Sequence, residues 1–186
     1  MKDETVYTDL IQLTLSGNKE AYSELYDVTI HEVYKTAHFL IDDKADVDDV
    51  VQEIYIQLYE SLRKYDSEKP FRPWLIGLVI KQIHSYRRKR WMRLRIIKKA
   101  EEQRKPVQID FSNDVVSKIS NQKLIELIHK LPYKLKQVII LRYLHDYSQE
   151  EVAEILHIPV EEIPEAYKER FMKAEQFMEY VDEKVR

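Results

Sequence analysis

The chain reads as all-α: two small helical domains joined by a linker, the C-terminal one a helix-turn-helix. Three observations carry this reading. Apolar residues recur at spacings of three and four along nearly the whole sequence. Only two glycines occur, Gly17 and Gly77, fewer than sheets with tight hairpins ordinarily use. The periodicity lapses from about Arg95 to Asn113, around Pro106, which sets the expected organisation as 1–95, a linker at 96–115, and 116–186.

The first helical pattern runs from about Val6 to Leu15 and stops at Ser16-Gly17-Asn18. A second covers Lys19 to Leu40, with Ala21, Tyr22, Leu25, Tyr26, Val33, Tyr34 and Ala37 sharing a face, and Asp42-Asp43 break it. A third starts near Ala45 or Asp46 and reaches about Arg63, turning Val47, Val50, Val51, Ile54, Leu58 and Leu62 inward. Tyr65 to Pro70 reads as a loop. A fourth helix starts near Arg72 and continues to at least Arg90; Pro73 suits its first turn, where a missing N–H costs nothing.

Helical pattern returns at about Asp114, and Leu124, Ile125, Leu127, Ile128 and Leu131 lead to Pro132. Lys134–Leu144, Ser148–Leu156 and a last helix to about Val181 follow. Ser148 with Glu151 three residues on is a capping box, which marks a helix start. A short helix, a turn around His157-Ile158-Pro159 and another helix is helix-turn-helix spacing.

Composition narrows the function classes. No cysteine occurs, so disulfides and cysteine-based metal or redox chemistry are excluded. No apolar run approaches the roughly 20 residues that span a bilayer, so membrane insertion is not expected. The N-terminus lacks the basic start and apolar core of a signal peptide, and the expected localisation is cytoplasmic.

The net charge of −3 hides a segregation. Residues 1–80 carry 8 Lys/Arg and 16 Asp/Glu, residues 81–105 carry 11 and 2, and residues 106–186 carry 11 and 15. The basic block is a candidate polyanion footprint; its bland alternative is a solvated helix end. Lys81, His84, Arg87, Arg88 and Arg90 fall on or near one stripe of the fourth helix, suited to phosphate contact. Asp46, Asp49 and Glu53 stand at i, i+3 and i+7, so they share a helical face with Gln52 beside them. That face is a protein-docking surface, a merely solvated one, or a metal or acid/base site. The last is disfavoured because no helical Glu-x-x-His partner, no histidine at metal spacing and no glycine-rich phosphate loop accompanies it. No cofactor and no active site are expected.

In order along the chain, these motifs resemble those of the extracytoplasmic-function (group IV) sigma factors of bacterial RNA polymerase. Gly17, Ala21, Tyr22, Leu25 and Tyr26 are similar to the family's opening G-x-x-x-A-F-x-x-L-Y, and Asp46, Asp49, Val50, Val51, Gln52 and Glu53 to its D-x-x-D-[LV]-[VI]-Q-E. Phe71, Trp74 and Leu75 resemble its F-x-x-W-L, and Arg87-Arg88 the basic end of the next helix. Leu131-Pro132, Leu141-Arg142-Tyr143, Tyr147-Ser148, Glu151, Val152, Ala153, Leu156 and Ile158 resemble its L-P…L-R-Y…[LY]-S-x-x-E-I-A-x-x-L-x-I.

The resemblance implies core RNA polymerase and promoter DNA as partners. Residues 1–95 would bind polymerase through Asp46, Asp49, Gln52 and Glu53, and would capture minus-10 bases at the aromatic turn. Phe71 and Trp74 are expected to be mostly buried scaffold, so Tyr65 and the loop residues Asp66, Ser67, Glu68 and Lys69 are the better base contacts. Residues 116–186 would read the minus-35 element. The chain departs from the family at Lys81 and Ser85, usually Asn and Asp, and in the final helix, where Glu161, Glu162, Pro164 and Glu165 replace the usual neutral and basic residues. Lys168, Arg170 and Lys173 remain as DNA-contact candidates there. The acidic helix alternatively faces a protein: the polymerase flap, an activator or an anti-sigma factor. Three rivals accompany the sigma reading: a degenerate sigma-like adaptor without independent minus-35 recognition, a plain helix-turn-helix repressor, and, most remotely, an enzyme built on the acidic face.

Overall fold

The computed structural model describes residues 4–101 and 131–165, and all regular structure among them is helical. The N-terminal group comprises α1 (Glu4–Leu15), α2 (Lys19–Leu40), α3 (Val47–Ser61) and α4 (Phe71–Glu101). Short 3-10 turns, Lys44–Asp46 and Leu62–Lys64, flank α3. The C-terminal group comprises α5 (Tyr133–Ile139), which runs on as a π-helical turn over Ile140–Leu144, then α6 (Gln149–Leu156) and the short α7 (Glu162–Glu165).

Local chemistry explains the junctions. Gly17 takes φ 97°, and the Asn18 N–H reaches back to the Leu13 carbonyl at 3.0 Å, closing α1. A side chain would be strained at that φ, which glycine adopts freely. Asn18 then caps α2, its side chain accepting from the Ala21 N–H at 3.1 Å. The fourth helix begins at Phe71, whose N–H donates to Glu4 Oε2 at 3.1 Å, so a carboxylate from α1 serves its start. Ser148 and Glu151 form the expected capping box on α6.

The core of the first group follows the sequence periodicity. Leu25, Val33, Ala37 and Leu40 of α2 meet Val47, Val51, Ile54 and Leu58 of α3 and Phe71, Leu75, Ile76, Val79 and Ile83 of α4, all essentially inaccessible to water. Tyr7, Leu10 and Ile11 of α1 close one end. The face foreseen for the third helix is buried as expected. On α2 the expectation holds less well, because Tyr26 and Tyr34 lie one residue past Leu25 and Val33. A step of about 100° turns them outward, and both are exposed.

α4 differs most from the sequence reading, running past Arg95 to Glu101, into the expected linker. Trp91, Met92, Leu94, Ile96 and Ile97 are all exposed, so the described side chains at this end of the helix form no buried face to leave a periodic trace. The helix foreseen from Asp114 and most of the last one lie outside the described residues.

The C-terminal group rests on α2 and α4, and its buried residues Val138, Leu141, Val152 and Ile155 run into one apolar cluster with the first group.

Candidate functional site

The acidic end of α3 meets the basic length of α4. Asp49, Gln52 and Glu53 are exposed on one face of α3. Asp46 precedes the helix and is less free: Arg90 Nη1 pairs with it at 2.6 Å, and the Tyr86 hydroxyl donates to the same carboxylate. Burial, reinforced by this carboxylate, pushes the Tyr86 hydroxyl up to about 12. Asp46, Asp49 and Glu53 form one wall of a cleft of about 320 Å3 whose opposite wall includes Lys89, Arg90 and Arg93. The structure thus brings the four acidic-face residues together, with Asp49, Gln52 and Glu53 exposed and Asp46 engaged by Arg90 and Tyr86.

The aromatic turn is a stacked cluster. Phe71 is fully buried and Trp74 half-buried. Tyr65 lies edge-on to Phe71 at 5.5 Å and tilted against Trp74 at 4.9 Å, and its hydroxyl donates to the Lys69 carbonyl. Tyr65 therefore braces the loop as well as edging it. Lys64 and Lys69 are exposed beside the cluster, with no ion-pair partner among the described residues.

The basic stripe of α4 divides in two. Lys81 and Arg88 are exposed and carry no hydrogen bond or ion pair among the described residues. Arg87 pairs with Asp42 at 2.7 Å, and Arg90 with Asp43 at 2.9 Å as well as with Asp46. The hydrogen bond from Arg90 lowers the Asp43 pKa. Burial would raise Asp42, but Arg87 and Lys136 together hold it below the ordinary carboxylate value. His84 Nε2 lies 2.9 Å from Gln137 Nε2, and its ring packs 5.4 Å from that of Tyr133. Partial desolvation lowers the His84 pKa, with the Arg87 charge adding to the effect and the Gln137 hydrogen bond opposing it, so the charged ring is disfavoured. Asp42 and Asp43, read from the sequence only as helix breakers, are thus the anchors of two expected DNA contacts.

The helix-turn-helix expectation is met by α6, a turn at His157 (φ 53°) and α7. Glu161 and Glu162 are exposed where α7 begins. Lys168, Arg170 and Lys173 lie outside the described residues.

One constellation escaped the sequence. Glu32 of α2 accepts two hydrogen bonds from Arg72, at 3.0 and 2.9 Å, and a third from the Tyr147 hydroxyl at 3.0 Å. His145 Nδ1 stands 3.5 Å from the same carboxylate, while its Nε2 bonds the Thr36 hydroxyl at 2.7 Å. The partners are separated by 40 to 115 residues, so no local spacing could have announced them. The hydrogen bonds that Arg72 donates to Glu32 raise the Arg72 pKa further, and burial raises that of Tyr147. No cluster of three or more metal-ligating side chains stands among the described residues.

Two family models match the chain in order: sigma-70 region 2 over residues 25–93 and sigma-70 region 4 over residues 121–163. Together they account for more than half of its length. The extracytoplasmic-function RNA polymerase sigma factor SigW of Bacillus subtilis is 25% identical over 161 residues, covering 81% of this chain and 84% of its own. In fold, the chain is similar to CnrH in its complex with the cytosolic domain of CnrY, with a TM-score of 0.63 at 21% identity over 96% of this chain and 97% of the other. It is also similar to the sigma factor RpoE in complex with the anti-sigma factor NepR from Bartonella quintana, with a TM-score of 0.64 at 15% identity over 89% and 98%. The order of helices, the exposed Asp49-Gln52-Glu53 face, the helix-turn-helix and these matches agree: the chain belongs to the extracytoplasmic-function group of the sigma-70 family.

Proposed function

We infer that this protein is an alternative sigma factor, binding core RNA polymerase and directing it to a subset of promoters. The observation that carries the reading is the presence of sigma-70 regions 2 and 4, in that order, on one chain. Its division of labour follows the two regions. Residues 1–95 form the unit that docks on polymerase through Asp49, Gln52 and Glu53, with Asp46 as a braced flank. The same unit takes up minus-10 DNA at Tyr65, Lys69, Lys81, His84, Arg87, Arg88 and Arg90. Residues 116–186 form the second DNA-binding unit, with Lys168 and Arg170 as its candidate contacts. The protein is not an enzyme; phosphodiester chemistry belongs to the polymerase. It works in the cytoplasm, and no described helix is long and apolar enough to cross a membrane. An anti-sigma factor is a further partner, supported by the similar sigma factor held by NepR.

The exposed Glu161 and Glu162 favour one second reading, an adaptor that binds polymerase without reading a minus-35 element by itself. Negative charge suits the first turn of a helix but opposes approach to phosphate. Run-off transcription with reconstituted core polymerase on a supercoiled template library separates the two. Promoter-specific transcripts are expected from the wild type, and Asp49→Lys/Glu53→Lys should abolish both transcripts and polymerase capture while leaving helicity intact. Polymerase capture without any specific transcript would establish the adaptor instead.

A further inference from the structure

A cleft of about 670 Å3 lies between the aromatic turn, α4 and the end of α6. Small-molecule sites are commonly of this size. Lys64 and Lys69 enter its lining from beside the aromatic turn, and Lys81 from α4. All three are exposed, with no ion-pair partner among the described residues. Glu154 is the one carboxylate in the lining, so the cleft keeps a net positive charge. The half-buried indole of Trp74 borders the same space, with Leu78 and Leu156 as apolar surface from α4 and α6.

Gly77 also lines the cleft, from the interior of α4, and a Cβ there would meet nothing within 4 Å. Packing among the described residues therefore does not require glycine, and glycine is a poorer helix former than alanine. Gly77 stands three residues after Trp74 and four before Lys81, so indole, bare backbone and cation follow one another along one face of α4. Bare backbone beside an aromatic ring suits a flat group that comes closer than a methyl would allow.

We propose that this cleft binds a free nucleoside di- or triphosphate, with its base on Trp74 beside Gly77 and its phosphates among Lys64, Lys69 and Lys81. A base stacks on an indole, and phosphate oxygens accept charge-assisted hydrogen bonds from lysine. Inorganic phosphate would leave the indole and the apolar wall unused, and an apolar ligand would leave three cations without an anion. The α6 wall distinguishes a free nucleotide from a nucleotide within a DNA strand. Glu154 there offers an acceptor to ribose hydroxyls, and His157 closes the end of the cleft. Lys69 and Lys81 are also proposed DNA contacts, so a bound nucleotide competes with DNA. That consequence rests on the sigma-factor reading, whereas the binding itself does not.

Trp74 and Trp91 are the two tryptophans of the chain, so Trp91→Phe leaves Trp74 as the reporter. Titrating this full-length protein with ATP, without polymerase, should quench its fluorescence saturably. Tripolyphosphate should bind more weakly than ATP and displace it without quenching. Lys64→Ala should weaken ATP binding roughly tenfold, the loss of one charge-assisted contact. Gly77→Ala should weaken it by a similar factor while the thermal midpoint holds or rises, because the methyl fills the cleft but favours helix. His157 has φ 53°, where glycine is at ease, so His157→Gly removes the ring without backbone strain. It should weaken ATP and leave the affinity for a mixed-sequence single-stranded oligonucleotide unchanged. Absence of saturable quenching overturns the proposal, as does wild-type ATP affinity in Gly77→Ala. Tripolyphosphate binding as tightly as ATP would reduce the cleft to a phosphate site and overturn the nucleoside assignment. Equal losses of ATP and oligonucleotide in His157→Gly would make the cleft part of the DNA surface and overturn it too. Quenching by ATP without any promoter-directed transcript on core polymerase leaves the nucleotide site standing and sinks the sigma-factor reading; transcripts without quenching do the reverse.

Discussion

His145 joins the two helical groups through a ring that must stay neutral. Desolvation by burial is the largest influence on it and lowers its pKa to about 4; Glu32 and Asp146 pull the other way, while Arg72 and Lys35 add to the lowering. An exposed histidine titrates at about 6.5, so between these values the unfolded chain binds a proton that the folded chain refuses. The stability that the neutral ring contributes is complete above about pH 6.5 and is lost as the pH falls toward 4. The shift corresponds to on the order of 3 kcal/mol for this one site. His145→Gln keeps a neutral hydrogen-bonding side chain and removes the titration. Urea denaturation of wild type should therefore show stability falling more steeply between about pH 6.5 and 4 than it does in the variant. Parallel slopes for the two proteins would mean that the ring is already protonated when folded. Phe71 illustrates the opposite kind of residue: fully buried beneath Tyr7, Tyr65 and Trp74, it works by filling space, as its apolar context in the sequence suggested.

At the scale of elements, α6 shows how a short helix becomes dependent on its ends. Its residues span just over two turns, too few to be stable by propensity alone. Its start relies on a reciprocal pair, the Glu151 N–H donating to Ser148 Oγ at 3.1 Å and the Ser148 N–H donating to Glu151 Oε2 at 2.7 Å. Ser148→Ala should lower stability by about 1 kcal/mol, read as a shift in the denaturation midpoint at constant slope. A neutral result would show that packing of Val152 and Ile155 alone holds the helix. This start was legible from four letters of sequence because both partners are local. The same holds for α2, bounded by Asn18 and by the Asp42-Asp43 break, and for the inward face of α3. Long-range events left no such trace. Glu4 serves the start of α4 from the far end of the chain, and Glu32 looks in the sequence like one more solvated acid on α2. The far end of α4 was missed for a different reason. Lys, Arg, Leu and Met all favour helix, but with its described apolar residues exposed the segment has no two-sided pattern to read.

At the scale of the whole molecule, the described part of the basic block, residues 81–97, is only partly available to a polyanion. The sequence places Arg87, Arg88 and Arg90 side by side as equivalent cations, whereas folding assigns them different work. Arg87 and Arg90 are spent largely on Asp42, Asp43 and Asp46, pinning α4 to the loop before α3. Arg88, together with Lys81 and the loop residue Lys69, keeps an exposed charge with no ion-pair partner among the described residues. They are among the cations that can exchange condensed counterions for phosphate. Each such contact on single-stranded DNA contributes roughly 0.7 to the slope of log K against log salt concentration. Removing Lys81 and Arg88 together, as Lys81→Ala/Arg88→Ala, should therefore lower the magnitude of that slope by about 1.4, measured by fluorescence anisotropy over a salt titration. Arg90→Ala should change it by less than one contact's worth, because its charge is neutralised before DNA arrives. It should instead loosen the α3–α4 cleft, seen as faster amide exchange at the start of α3. Equal slope changes for Arg88→Ala and Arg90→Ala would show that the arginine–aspartate pairs break on DNA binding, and that α4 then offers its whole basic stripe to the phosphates.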